Sequence, residues 1–190
     1  HGPVTLGVAA PLRREKRLDR LLSVLARLHR SGHLDAARPD PLRVAIAGGG
    51  PEAEPLKRQA ADLGLDALVR FQGPLDDVGD FLRSSHLFAM TSETEQMPNA
   101  LLQAMATGLP VVAFDAGDIA AILPEAQRPF VRAQDDGEGF AAALIRLLTD
   151  PDLRRTLGAA NRARVEAQYD MATMVAAYDS LYQDTIAVRP

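Results

Sequence analysis

Six short apolar runs alternate with longer stretches of helical period along this 190-residue chain, and no other feature constrains the fold as tightly. The runs are Val4–Ala10, Leu42–Ala47, Leu68–Gln72, His86–Met90, Val111–Phe114 and Phe130–Val131. Between the first two, Leu18, Leu21, Leu22, Leu25 and Leu28 recur at helical spacing. Strands separated by helices pair in parallel, because a parallel neighbour is reached only through a crossover. The pattern therefore predicts an α/β fold: a doubly wound parallel sheet of about six strands, helices on both faces and right-handed crossovers. One domain covers 1–190, with its last helices over about 151–185. Those helices pack outside the sheet or lead back toward a partner domain. Asp150 with Pro151, and Asp170, are their expected N-terminal caps. The opening His1-Gly2-Pro3-Val4, just ahead of a strand, reads as a cut from a longer protein.

Composition excludes several classes. The net charge of −4 gives no whole-chain basic field for nucleic acid. With no cysteine, disulfides and cysteine-ligated metals are impossible. No apolar run approaches the roughly 20 residues that span a bilayer.

The stretch Thr91–Ala113, TSETEQMPNALLQAMATGLPVVA, carries the strongest local signal. It reads as strand end, loop, helix, tight turn and strand. Asn99 opens the helix after Pro98, Gln103 lies one turn on, and Gly108 and Pro110 end it. Helix starts of this kind favour anions: the first N–H groups lack internal partners and the helix dipole adds about half a positive charge. An ordinary strand–helix crossover has the same pattern. Two other turns are equally two-sided. The basic loop Arg13-Arg14-Glu15-Lys16-Arg17 is either a solvated turn or one that aims Lys16 at a phosphate over the strand ends. Gly48-Gly49-Gly50-Pro51 is either a tight strand-to-helix turn or a ligand contact; it lacks the third glycine of a dinucleotide fingerprint. Pro51 is expected at the first helical position, with the helix ending at Gly64. His86, alone at a strand start, reads as structural.

Taken together, these segments resemble the donor-binding core of retaining GT-B glycosyltransferases of family 4. Ser92–Ala113 carries the pattern S-x-x-E-x-M-P-N-A-L-L-x-A-M-A-x-G-x-P-V-V-A. Arg14–Asp19 resembles the family's first basic loop, Ala47–Glu52 its G-x-G-P turn, Phe71-Gln72-Gly73 its F-x-G strand end, and Asp150-Pro151 with Tyr178 and Tyr182 its C-terminal helices. The resemblance implies a Rossmann-like C-terminal half of a two-domain enzyme. The implied reaction moves a sugar from a nucleoside diphosphate to an acceptor hydroxyl with retention, without cofactor or metal. An N-terminal acceptor-binding domain is the implied partner. A cytoplasmic location follows, with peripheral association of the parent at the inner membrane face left open. By the same resemblance Lys16 contacts the diphosphate, the amides near Asn99, Ala100 and Leu101 cradle it, and Glu95 holds donor-sugar hydroxyls. Gln103 occupies the place that binds the ribose. Gly49 and Gly50 belong to the donor-side turn, and Gly73, Pro74 and Leu75 lie near the base.

Three positions depart from that pattern. Gln103 stands where the second acid of the E-x7-E motif is usual, Gln96 stands for a glycine, and Pro11 stands where an arginine is common. Proline has no side-chain donor for a phosphate. Arg13 or Arg14 is the expected substitute. A divergent, catalytically silent nucleotide-sugar-binding or protein-interaction domain is the alternative, with a GT-B epimerase ranked below both.

Overall fold

The computed structural model describes residues 2–34 and 41–187. The middle of the polar connection Gly32–Pro41 and the tail from Val188 lie outside the described residues. Six parallel strands form one sheet: β1 (Val4–Ala9), β2 (Leu42–Ala47), β3 (Val69–Gly73), β4 (Leu87–Met90), β5 (Val111–Phe114) and β6 (Val131–Arg132). Their order is β3-β2-β1-β4-β5-β6. The chain builds outward from β1 in one direction and then returns to start β4 on its other side, so the strand order reverses between β1 and β4. Ligands in such sheets bind outside the carboxyl ends of the strands at this reversal.

Alternation within each strand sends side chains to two separate cores. Val4, Leu6 and Val8 of β1, with Val44, Ile46, Val112 and Phe114, pack under helices α1 (Leu18–Arg30), α2 (Ala53–Asp62) and α6 (Gly137–Thr149). Ala9, Ala45, Phe88, Met90, Val111 and Ala113 face the opposite layer of α3 (Val78–Arg83), α4 (Asn99–Ala106), α5 (Ile119–Ile122) and α7 (Pro151–Gln168). Central strands buried on both faces have no polar alternation, which is why they read as continuous apolar runs.

Most expected boundaries hold to within two residues. Asp150 caps α7 by accepting from the Leu153 N–H at 2.8 Å, with Pro151 at the first position. Asp170 caps α8 (Met171–Ala187), accepting from the Thr173 N–H at 2.6 Å. Pro51 differs. It lies in the turn before α2, whose cap is Glu52: the Ala53 N–H closes a tight turn on the Gly50 carbonyl at 3.1 Å, and the helical bonds begin with the Leu56 N–H to the Glu52 carbonyl at 2.9 Å. The last strand begins one residue later than expected, since Phe130 closes a 3-10 helix (Glu125–Phe130) with no apolar period of its own. Helix α8 stands apart from the two cores, and its described side chains are exposed, including Met171, Tyr182 and Ile186.

A buried polar bridge fixes the β5 edge. Gln127, fully buried, accepts from the Val111 N–H at 3.2 Å and donates to the Val111 carbonyl at 2.7 Å. Asn161 of α7 donates to the Gln127 side-chain oxygen at 3.0 Å and to the Leu109 carbonyl at 2.8 Å. Gln127→Leu keeps the volume but orphans both backbone groups of Val111. We expect a loss of about 3 kcal/mol in urea unfolding, from two buried groups at roughly 1–3 kcal/mol each; a loss below 1 kcal/mol would contradict the bridging role.

Candidate functional site

Two adjoining cavities open at the carboxyl ends of β1 and β4. One, of about 290 Å³, is lined by Val8–Pro11 at the end of β1, Ala89–Ser92 at the end of β4, and Lys16, Glu95 and Met97–Ala100. The other, of about 400 Å³, is lined by Ala9–Pro11, Ala47–Gly49, Pro74, Leu75, Val78, Asn99, Ala100 and Gln103. They share Ala9, Ala10, Pro11, Asn99 and Ala100, so the start of α4 forms a common wall. This is the position at which the strand order reverses.

Lys16 ends a 3-10 turn (Arg14–Lys16), and Arg17 then adopts a left-handed conformation, φ 47° and ψ 40°, to launch α1. A left-handed non-glycine residue costs about 1–2 kcal/mol. It is held by a two-point ion pair to Asp19, both contacts at 3.1 Å, and by Glu93 at 3.7 Å. The turn is also stitched to the loop after β4: the Thr91 hydroxyl donates to the Lys16 carbonyl at 2.9 Å, and the Glu93 N–H donates to the Glu15 carbonyl at 2.8 Å. These contacts bring the Lys16 ammonium to Glu95 Oε1 at 2.6 Å, across 79 residues of sequence. The Ser92 hydroxyl donates to the same oxygen at 2.6 Å. Both charged side chains are largely shielded, 20% and 10% exposed.

The geometry sorts the sequence-derived residues. Lys16, Glu95, Gly49, Pro74, Leu75, Asn99, Ala100 and Gln103 all line the paired cavities. Three others do not. The Leu101 side chain is fully buried, and its N–H turns back to the Pro98 carbonyl at 3.0 Å. The amides without an intrahelical acceptor are therefore those of Asn99 and Ala100. Gly50 lines neither cavity; its φ is 152°, and a Cβ there would run into the Leu12 carbonyl. Gly73 contributes its carbonyl, which accepts from the Gly48 N–H at 2.8 Å, and so braces the wall from outside. Arg13 and Arg14 line a separate groove of about 430 Å³ with Glu52, Leu56 and Glu93. Lys16 is then the single cationic side chain among the described residues lining either cavity.

Sequence reasoning passed over Ser92 as a partner of Glu95, Gly48 as a wall element, and Gln134. Ser92 opens the motif quoted above, so its signal was present. Gln134 carried none. His86 lies away from the cavities, where its Nδ1 accepts from the Thr5 N–H at 3.1 Å. Burial, and then the nearby Arg154 charge, hold its pKa below the usual histidine value. Among the described residues no cluster of three His, Cys, Asp or Glu is placed to hold a metal ion, and no helix is long and apolar enough to cross a membrane.

Comparison with known proteins agrees with this architecture. The chain is 29% identical over 144 residues to an N-acetyl-alpha-D-glucosaminyl L-malate synthase of Bacillus anthracis, covering 76% of this chain and 38% of that protein. It is 35% identical over 159 residues to a sulfoquinovosyl transferase of Arabidopsis thaliana, covering 82% and 28% respectively. Among solved structures, a sucrose-phosphate synthase of Thermosynechococcus elongatus superposes with a TM-score of 0.85 at 21% identity, over 98% of this chain and 46% of that one. The Anabaena protein HepE in complex with UDP superposes at 0.83 and 21% identity, over 96% and 49%. The chain thus spans less than half the length of each of these proteins, and the shared fold is the Rossmann-like half of GT-B glycosyltransferases. The family model described as glycosyl transferases group 1 matches residues 1–164, from β1 through most of α7, and with the sheet order and the cleft in place the chain belongs to that family.

Proposed function

We propose that this chain is the donor-binding half of a retaining glycosyltransferase, taking a nucleoside-diphosphate sugar in the paired cavities. The carrying observation is the convergence of Lys16, the α4 amides and Glu95 on one cleft at the strand-order reversal. A diphosphate placed there meets the Lys16 ammonium and the N–H groups of Asn99 and Ala100, which together offset its charge as it leaves. Glu95 accepts from hydroxyls of the transferred sugar. In the adjoining cavity Gln103 meets the ribose, and Gly49, Pro74 and Leu75 border the base. UDP bound to HepE is in keeping with a nucleoside diphosphate, and one relative, 34% identical, is named as GDP-mannose-dependent, so the base is left to measurement. A second domain supplies the acceptor hydroxyl, since transfer needs both substrates aligned and water excluded.

The test is transfer by the full-length parent from a set of nucleoside-diphosphate sugars, with the anomeric configuration of the product read by NMR. A product of inverted configuration would reject retention. Folded parent protein that binds donor without turnover would favour the silent-domain reading, which the departures at Pro11, Gln96 and Gln103 support. Gln103→Glu is expected to tighten nucleoside diphosphate binding about fivefold, because a charged acceptor adds roughly 1 kcal/mol to a ribose hydrogen bond. Unchanged or weaker binding in calorimetry would remove Gln103 from the ribose.

A further inference from the structure

Glu95 stands on a stretch, residues 91–98, that has neither helix nor strand, yet its carboxylate must be held in place for either charge pairing or sugar recognition. One side chain ties that loop to the rest of the cleft. Gln134, between β6 and α6, donates through Nε2 to the Ser92 carbonyl at 3.0 Å and to the Asp115 carbonyl at 2.7 Å. Its Oε1 accepts from the Arg20 guanidinium of α1. Arg20 is itself fixed, lying 5.8 Å over the Phe114 ring and donating to the Gln134 carbonyl at 3.3 Å. Three segments far apart in sequence, after β4, after β5 and in α1, thus meet on one amide.

Both carbonyls that Gln134 grips lead to Glu95. Ser92, 3% exposed, donates its hydroxyl to Glu95 Oε1 at 2.6 Å. Asp115 opens the turn that ends at Gly117, and Gly117, at φ 54°, lies directly against the Glu95 carbonyl, leaving no room for a Cβ. The amide therefore sets the carboxylate through Ser92 and the backbone through the Asp115–Gly117 turn. We infer that Gln134 is a positioning residue for Glu95, holding the β4 loop in the form that presents the carboxylate to the cleft. It touches neither cavity. Its ligand effect rests on the donor-site reading above, and that effect falls on the sugar rather than on the diphosphate.

The test compares wild type, Gln134→Ala, Gln134→Glu and Glu95→Ala in this chain. Gln134→Glu keeps an acceptor for Arg20 and sets oxygens against the Ser92 and Asp115 carbonyls, so it stays informative if the alanine variant folds poorly. Without ligand, amide hydrogen exchange over residues 92–97 is expected to rise about tenfold while β1 is unchanged, as for a local opening. With ligand, the ratio of nucleoside diphosphate Kd to nucleoside-diphosphate sugar Kd is expected to fall about fivefold, with the diphosphate Kd itself changing less than about twofold. In the Glu95→Ala background Gln134→Glu should lower that ratio no further, since a residue acting through Glu95 has nothing left to act on. Unchanged exchange over 92–97 overturns the inference, as does an equal fall in the Glu95→Ala background. If wild type binds neither ligand, the donor-site reading fails, and the exchange result still decides whether Gln134 holds the loop.

Discussion

Lys16→Ala is expected to weaken nucleoside diphosphate binding by about fiftyfold, the equivalent of one charge-assisted hydrogen bond of roughly 2–3 kcal/mol. The effect lies at the upper end for two reasons visible in the cleft. Pro11 brings no donor, and Arg13 and Arg14 face another groove, so among the described residues no second cationic side chain lines the cleft. Removing the ammonium also leaves Glu95, 10% exposed, with the Ser92 hydroxyl but without its cationic partner, near the incoming diphosphate. Repulsion then adds to the lost attraction. In the full-length parent, transfer is expected to fall about a hundred- to a thousandfold, as when one preorganised donor is removed from a site of developing charge. Lys16→Arg keeps the charge in a longer, planar group and should recover only part of the loss. Calorimetry on the alanine variant reads the first effect. A change below about threefold would mean that the diphosphate is held elsewhere.

Gly48→Ala should cost about 3 kcal/mol of folding stability, because a methyl group there meets backbone strain and close approach together. Gly48 has φ 138°, which side chains rarely adopt, and a Cβ would lie inside contact distance of the Ala10 carbonyl. Neither backbone can give way easily. The Ala10 N–H is bonded to the Ala47 carbonyl at 3.0 Å and the Gly48 N–H to the Gly73 carbonyl at 2.8 Å. Because Ala10 and Gly48 both line the cavity, nucleotide affinity should fall with stability. Gly32→Ala is the control: φ is 76° there, with nothing within 4 Å of a Cβ. It should cost only about 1 kcal/mol, the conformational term alone. Urea unfolding of the two variants separates backbone strain from close approach.

How far the sequence led depends on what each feature rests on. Strands buried on both faces announce themselves as apolar runs, and β2 and β5 fall at the expected residues. Caps are equally local: Asp150 and Asp170 bond amides three residues on, so spacing alone located them. Pro51 departs from the same logic because the Ala53 N–H closes a tight turn on the Gly50 carbonyl at 3.1 Å, and α2 begins only after it. The cleft followed the same division. Lys16, Glu95 and Gln103 stood out through their motifs, whereas the 2.6 Å contact between Lys16 and Glu95 exists only once β1 and β4 are neighbours. Leu101 was assigned an amide that the first turn of α4 consumes. Gln134 sits in no motif and meets partners 19, 42 and 114 residues away, a relation that only the folded sheet creates.

The most direct test of the donor-site account is calorimetric titration of this chain with UDP, GDP and ADP, in parallel with Lys16→Ala. The account predicts one-to-one binding of at least one diphosphate by the wild type and a loss of about fiftyfold in the variant. Equal affinity of both proteins for the same diphosphate, or no binding by a wild type shown to be folded, would contradict it.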